Sequence, residues 1–353
     1  MKESTSRYFP FIKNLIPSKS VRPTVGLDIG VSSCRMVEVA ARSDGYELVR
    51  WAIEPIVAGN VAKTIRSVMS KTSLPNVSPV TGLAGKGTLI RFVDMPKMTL
   101  VDLKRSFSFE VDKYFPFPKD QIFTDCHIID SAGKDNKIPV LVAASKKELI
   151  NDRIKLMTDA TLQADFVTLN SIAIANVFDV LGSPKIPSEA AVAGPKAVGV
   201  LDIGEAVSSL TILVDNRPKF NRDIFIGGRD FTKSIATALH VTAEEAEKIK
   251  QDPARAAEIN SAVESATFDL ISELRLSCDY FVTETNLSLS QLFLTGGGTA
   301  MESLKQNLPK QLEITTHVWN PISLLKMGTG VVASDVNAKS GYLGTALGLA
   351  LYP

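Results

Sequence analysis

Histidine and cysteine are scarce in this chain, with three of each among 353 residues. Cys34, Cys126 and Cys278 stand far apart without metal-ligand spacing, so no zinc site and no disulfide framework is legible, and a reducing compartment is expected. His127, His240 and His317 are scattered in the same way and read as structural or exposed side chains. No run of about eighteen apolar residues occurs, so no membrane-spanning helix is expected. The N-terminus lacks the apolar core and small-residue cleavage site of a signal peptide, which points to a cytoplasmic protein. An excess of one charge sign is also missing. The 39 basic and 38 acidic side chains leave a formal charge of +1, which argues against a nucleic-acid binder that tracks phosphates.

What is present is a balanced globular composition, 45% hydrophobic and 22% charged. The length suggests two domains or one large two-lobed α/β body. Residues 1–20 read as an appendage, because Pro10 and Pro17 break any long helix and Arg22-Pro23 marks entry into the body. Residues 24–30, 33–40 and 46–53 read as an antiparallel meander, followed by a helix near 62–71. The pattern then changes. Short strands near 79–83 and 88–94, a helix over 100–114, the run Phe115-Pro116-Phe117-Pro118, and strands near 122–130 and 138–145 describe a small α+β insertion. Helices over 147–160 and 169–181 follow, and 182–195, with three prolines, reads as a linker.

The chain then repeats its opening. Ala197-Val198-Gly199-Val200-Leu201-Asp202-Ile203-Gly204 matches Val25-Gly26-Leu27-Asp28-Ile29-Gly30 in strand, aspartate and glycine. Strand patterns at 208–215 and 218–225 follow it, as in the first copy. Two such units facing each other would give two lobes with a cleft between them. Each Asp-x-Gly ends an apolar strand at a turn where glycine lets the backbone approach a phosphate. Ser32, Ser33, Ser208 and Ser209 follow, with amides and hydroxyls suited to phosphate oxygens. The aspartates would repel phosphate directly and are suited instead to holding waters around Mg²⁺.

Three further elements fit a nucleotide. Leu292-Phe293-Leu294-Thr295-Gly296-Gly297-Gly298-Thr299-Ala300 reads as a strand, a glycine turn and a helix start whose amides favour anions. Glu247 and Lys250, three apart on a helix, share one face and could grip ribose hydroxyls and a purine edge. Gly227-Gly228 forms a backbone turn just before a helix starting near Asp230. Each also has a plain reading: strand-end turns, packing glycines and a solvated helical ion pair. Trp51 and Trp319 read as packing residues.

In this order the motifs resemble those of the actin, Hsp70 and sugar-kinase superfamily of ATP-binding proteins. Within it the chain resembles the PilM family, the FtsA-like components of type IV pilus assembly, over roughly residues 24–351. The most specific stretch is Glu110-Val111-Asp112-Lys113-Tyr114-Phe115-Pro116-Phe117-Pro118. The stretches 141–148, 226–232, 273–281 and the closing helix over 341–350 also fit. The resemblance implies an α/β, actin-like (duplicated ribonuclease H-like) two-lobed fold with an inserted α+β subdomain. Its parts would be the appendage 1–20, a first lobe over 21–84 and 161–196 (including the connecting segment), the insertion 85–160, a second lobe 197–330, and a closing helix 331–353 returning to the cleft.

The same resemblance implies the ligands ATP and Mg²⁺. Asp28 and Asp202 would stand on the Mg²⁺ side, through water. Gly30, Ser32, Ser33, Gly204 and Ser208 would line the phosphates, with Gly227 and Gly228 close by. Glu247, Lys250, Gly296, Gly297 and Gly298 would hold the nucleoside. Arg35 stands where relatives carry lysine, with the charge kept on a larger planar fork. Thr168-Leu169-Asn170 stands where relatives carry carboxylates that orient water, with Asp165 three residues earlier, so binding is better supported than hydrolysis. The implied role is a cytoplasmic scaffold at the inner face of the inner membrane that recruits the tail of a PilN-like inner-membrane protein, beside other pilus assembly components. Two alternatives stay open. One is a sugar- or acetate-type kinase on the same fold. The other is an FtsA-like division protein, for which a C-terminal membrane helix is expected. Within the appendage, Asn14-Leu15-Ile16-Pro17 resembles the tail that PilN-like partners present, which suggests a tethered competitor for the partner groove.

Overall fold

The computed structural model describes residues 23–74, 77–131, 135–182 and 196–352. The Asn-Leu-Ile-Pro segment and the proline-rich linker lie outside the described residues. The chain divides into two compact units. The first takes in residues up to Gly182 together with Ile322–Val336 and Thr345 onwards, and the second runs to Pro321 and adds Asn337–Gly344.

The first unit opens with β1 (Thr24–Ile29), β2 (Ser33–Arg42) and β3 (Gly45–Pro55), an antiparallel meander. Helix α1 (Val61–Met69) follows, capped by Asn60, whose side chain accepts from the Lys63 amide at 3.0 Å. β4 (Val80–Leu83) then pairs parallel to β1. The insertion comprises β5 (Thr88–Pro96), α2 (Leu100–Tyr114), β6 (Ile122–Ile128) and β7 (Lys137–Lys146). Helix α3 (Lys147–Asp159) leads back to β8 (Phe166–Leu169), parallel to β4, and to α4 (Asn170–Leu181).

Helix α2 starts at Thr99, whose hydroxyl accepts from the Asp102 amide. It ends where Phe115 turns extended ahead of Pro116. β7 alternates between two cores, as the twofold period of a strand dictates. Val140, Val142 and Ala144 pack with Leu103, Phe107 and Val111 of α2. Leu141 and Ala143 face the main core of the unit, with Ile150 and Met157 of α3.

The second unit repeats the meander with β9 (Ala197–Ile203), β10 (Ser208–Val214) and β11 (Arg217–Ile224). Helices α5 (Gly228–Leu239), α6 (Ala243–Lys250), α7 (Ala256–Ala262) and α8 (Glu264–Thr285) precede β12 (Leu289–Thr295), α9 (Glu302–Leu312) and β13 (Thr315–Val318). The chain finishes with β14 (Lys326–Met327), α10 (Ala333–Ala338) and α11 (Gly344–Ala350). The expected single closing helix is therefore shorter than its sequence pattern and is preceded by a tight turn at Ser340–Tyr342.

The duplication is visible in strand order and register. The first sheet runs β14-β3-β2-β1-β4-β8 and the second β11-β10-β9-β12-β13. Leaving out the short β14, the order of meander strands followed by two parallel strands is the same. Ile29 pairs with Cys34 as Ile203 pairs with Ser208. The turns close alike, the Gly30 amide donating to Ser33 O and the Gly204 amide to Val207 O, both at 3.0 Å. Among the described residues no helix is long and apolar enough to cross a membrane.

Candidate functional site

In the second unit, two glycine-bearing segments converge on the turn after β9. The Gly228 amide donates to Gly204 O at 2.9 Å and the Arg229 amide to Glu205 O at 2.8 Å. A Cβ on Gly227 would stand 2.6 Å from Glu205 O and 2.7 Å from Gly204 O, so no other residue fits this approach. From the other side comes Gly296, at φ +84°, where a Cβ would overlap Asp202 Oδ1 and lie 2.6 Å from Ile203 O. Gly298 packs on the Ile203 side chain, and Gly297 faces the Tyr342 ring. The Gly296 amide donates to Gly341 O at 2.6 Å, which fixes the turn. Asp202, half-buried at the strand end, is therefore held between rigid backbone segments.

Ser208 is fully buried and donates to Ile226 O at 2.7 Å, which anchors the segment leading into Gly227. Its hydroxyl is spent on that loop and shapes the turn from behind. Gly227 is followed by Asp230, whose carboxylate accepts from the Gly227 amide at 2.9 Å.

Glu247 and Lys250 of α6 form the expected same-face pair, 2.6 Å apart. Lys250 also donates to Thr232 Oγ1 at 2.8 Å and to Gly228 O at 3.2 Å. An ammonium has three donors, and all three are placed within the protein. Lys250 thus ties α6 to the start of α5, while Glu247, with its side chain 46% exposed, is the member that faces outward. Burial raises the Glu247 carboxyl pKa, but hydrogen bonds from Lys250 and Thr232 outweigh it and hold the value below the ordinary one.

The first unit carries the matching turn with different chemistry. Arg35 lies directly across from Asp28 in the β1–β2 register, and its Nη1 donates to Asp28 Oδ2 at 2.7 Å. Asp28 is buried, so its charge is compensated by this guanidinium. The pairing takes one of the two oxygens that waters around an ion would use. Gly30 packs beside the same guanidinium, Ser32 is exposed, and Ser33 accepts from Gly30 through its carbonyl.

Since β1, β4 and β8 run parallel, Asp28, Leu83 and Asn170 share the C-terminal edge of the sheet, where open α/β sheets take ligands. Thr168 is fully buried. Asp165 precedes β8 at the opposite edge, its amide donating to Pro79 O at 2.9 Å. Three strand residues separate its level from that of Asp28, about 10 Å. It does not stand in for a water-orienting carboxylate at the ligand edge.

One charged residue near this edge went unnoticed in the sequence. Arg153 of α3 is half-buried, and its Nη1 donates to Thr81 Oγ1 at 2.8 Å. The signal was available. Arg153 interrupts the apolar face formed by Ile150, Ile154 and Met157, where a core-facing residue is expected.

Among the described residues no group of three His, Cys, Asp or Glu side chains could hold a metal. Single carboxylates at glycine turns fit a hard divalent ion held largely by ligand phosphates and water. Asp202 at the second turn is a carboxylate of that kind, and at the first turn Arg35 Nη1 already occupies one oxygen of Asp28.

A duplicated meander, an inserted α+β subdomain and glycine-clasped strand ends define a protein of the actin-like, duplicated ribonuclease H-like α/β fold. The structure is similar to one described as the PilM-PilN type IV pilus biogenesis complex, with TM-score 0.80 and 24% identity, covering 93% of this chain and 97% of that one. It is also similar to ethanolamine utilization protein EutJ from Carboxydothermus hydrogenoformans, with TM-score 0.55 and 13% identity over 99% of this chain and 94% of that one. The family model for type IV pilus assembly protein PilM matches residues 26–352, and the chain belongs to that family.

Proposed function

We propose that this protein is an ATP-binding scaffold of type IV pilus assembly, acting on the cytoplasmic face of the inner membrane with little or no ATP hydrolysis. It recruits the cytoplasmic tail of an inner-membrane PilN-like protein. The observation that carries nucleotide binding is the clasp of Gly227-Gly228 and Gly296-Gly297-Gly298 around the Asp202 turn, which leaves backbone no side chain could replace. Family membership and the similarity to the PilM-PilN complex support the partner.

In this reading the Gly204 turn of the second unit, backed by Ser208, offers amides to phosphates, and the Gly30–Ser33 turn of the first unit has the same backbone form. Asp202 orients waters around Mg²⁺, which when bound neutralises phosphate charge. Glu247 accepts from nucleoside hydroxyls, held in place by Lys250, and the Gly296–Gly298 turn lies against the nucleoside. Hydrolysis needs a positioned in-line water. The ligand edge of β8 offers Thr168 and Asn170 there, neither of them a carboxylate.

The test is binding of a synthetic PilN-like tail to the full chain with and without Mg·ATP. Tail affinity that rises with the nucleotide supports an ATP-gated scaffold. Tail binding that ignores ATP, in a chain that binds ATP, removes the gating.

A further inference from the structure

Arg153 stands on the core-facing stripe of α3, between Ile150 and Met157, both of which are 1% exposed. Among the described residues its guanidinium has one hydrogen-bond acceptor, the Thr81 hydroxyl, and no carboxylate within ion-pair distance. Two other cations at the glycine turns are paired, Arg35 with Asp28 at 2.7 Å and Lys250 with Glu247 at 2.6 Å. A guanidinium carries five N–H donors and stays charged in proteins. Burial pushes the Arg153 pKa down to about 10, partly offset by the Asp28 charge, so the side chain remains a cation at neutral pH. Neighbouring Cys34 supplies no compensating charge, since burial and Asp28 push its thiol up to about 11.

The position gives this desolvated charge a use. Thr81 pairs with Leu27, one residue before Asp28, so Arg153 reaches the sheet one strand residue below the level of Asp28, and its charge is felt by Asp28 and Cys34. A half-buried charge without an ionic partner is costly, and an anion arriving at the ligand edge would compensate it. We infer that Arg153 is a phosphate-binding residue of the first turn, contributing positive charge and N–H donors from α3 to a nucleotide phosphate. At this turn Asp28 then serves as the counter-charge to the two arginines rather than as a carboxylate for hydrated Mg²⁺. The inference rests on the nucleotide reading for its ligand, although the chemistry is that of any phosphate or pyrophosphate group.

The experiment compares full-length wild type, Arg153→Gln and Arg153→Lys. Mg·ATP affinity is read by calorimetry, and thermal midpoints are measured without ligand and with pyrophosphate. Glutamine keeps a polar amide but removes the desolvated charge, so Arg153→Gln should hold or raise the ligand-free midpoint. It should weaken ATP by about ten- to a hundredfold and abolish the pyrophosphate shift. Lysine keeps the charge without the planar fork and should fall between the two. Equal ATP affinity in all three proteins overturns the inference and leaves the nucleotide reading standing. So does a ligand-free midpoint that collapses in Arg153→Gln while Arg153→Lys binds ATP as wild type does, which would make Arg153 a structural latch. A wild type that ignores ATP but is stabilised by pyrophosphate, with the effect lost in Arg153→Gln, upholds the phosphate site and refutes the nucleotide reading. A wild type that responds to neither refutes both.

Discussion

Lys250 Nζ stands 2.6 Å from Glu247 Oε2, three residues back along the same helical face, and the pair is completed by Thr232 of α5. The relationship divides the labour. The lysine is only 10% exposed and spends its three donors on the protein, while the glutamate keeps an outward oxygen that accepts from Gln251 at 3.1 Å. A ligand that needs an acceptor on α6 would therefore meet Glu247, in an orientation set by Lys250.

Lys250→Met should accordingly lower the thermal midpoint, since it strips donors from Gly228 O and Thr232. Such a loss costs about 1–3 kcal/mol for a buried group. Nucleotide affinity should fall with it, because Glu247 is no longer held.

The pH dependence of the same pair has a definite sign. The folded Glu247 carboxyl titrates below its unfolded value, so its contribution is complete above the ordinary glutamate range. It is lost as pH falls through the lowered folded value. Thermal melts from about pH 7 to about pH 3 should show a steeper acid loss for wild type than for Glu247→Gln. Parallel curves would remove the pair from the acid response.

Gly296→Ala should damage the second turn more than an ordinary surface change. The backbone there has φ +84°, which costs an L-residue about 1–2 kcal/mol, and the new methyl would overlap the Asp202 carboxylate. Loss of ATP binding with a lowered midpoint is the expected outcome. An alanine variant that binds ATP as wild type does would show that the turn has slack.

Much of this was legible in the sequence for physical reasons that can be named. Helix α2 was readable because Phe115-Pro116-Phe117-Pro118 stops it, while its cap at Thr99 emerges from the structure. The duplication was readable because each copy ends a buried strand with the same Asp-x-Gly turn. Side-chain partners were not readable. Nothing local says that Ser208 bonds to Ile226 or that Lys250 reaches Gly228, since both are contacts across distant segments. The two-residue strand β14 carries too little pattern to announce itself and exists by pairing with β3. Arg153 was hidden for the opposite reason. Its helix was clear, and a single cation on the apolar face passes for a surface residue until its neighbours are known.

Turnover should be slow, with phosphate release below about one per second, the low end of ordinary enzymes. Asp165→Asn should leave even that rate unchanged, because Asp165 lies at the far edge of the sheet from Asp28. A steady-state phosphate assay checks both. Rapid release, or a rate that collapses in Asp165→Asn, would require a different water-positioning group.

Deleting residues 1–20 should raise affinity for a synthetic PilN-like tail, because Asn14-Leu15-Ile16-Pro17 resembles that tail. A tethered copy competes at high effective concentration. Fluorescence anisotropy of the labelled peptide reads the change. Equal affinity with and without the segment would remove the competition.

Calorimetric titration of Mg·ATP into wild type and Asp202→Ala addresses nucleotide binding itself. Wild type should bind in millimolar Mg²⁺, and Asp202→Ala should bind about tenfold or more weakly, with most of the Mg²⁺ dependence gone. Absence of ATP binding by a folded wild-type protein would contradict the ATP-binding scaffold outright.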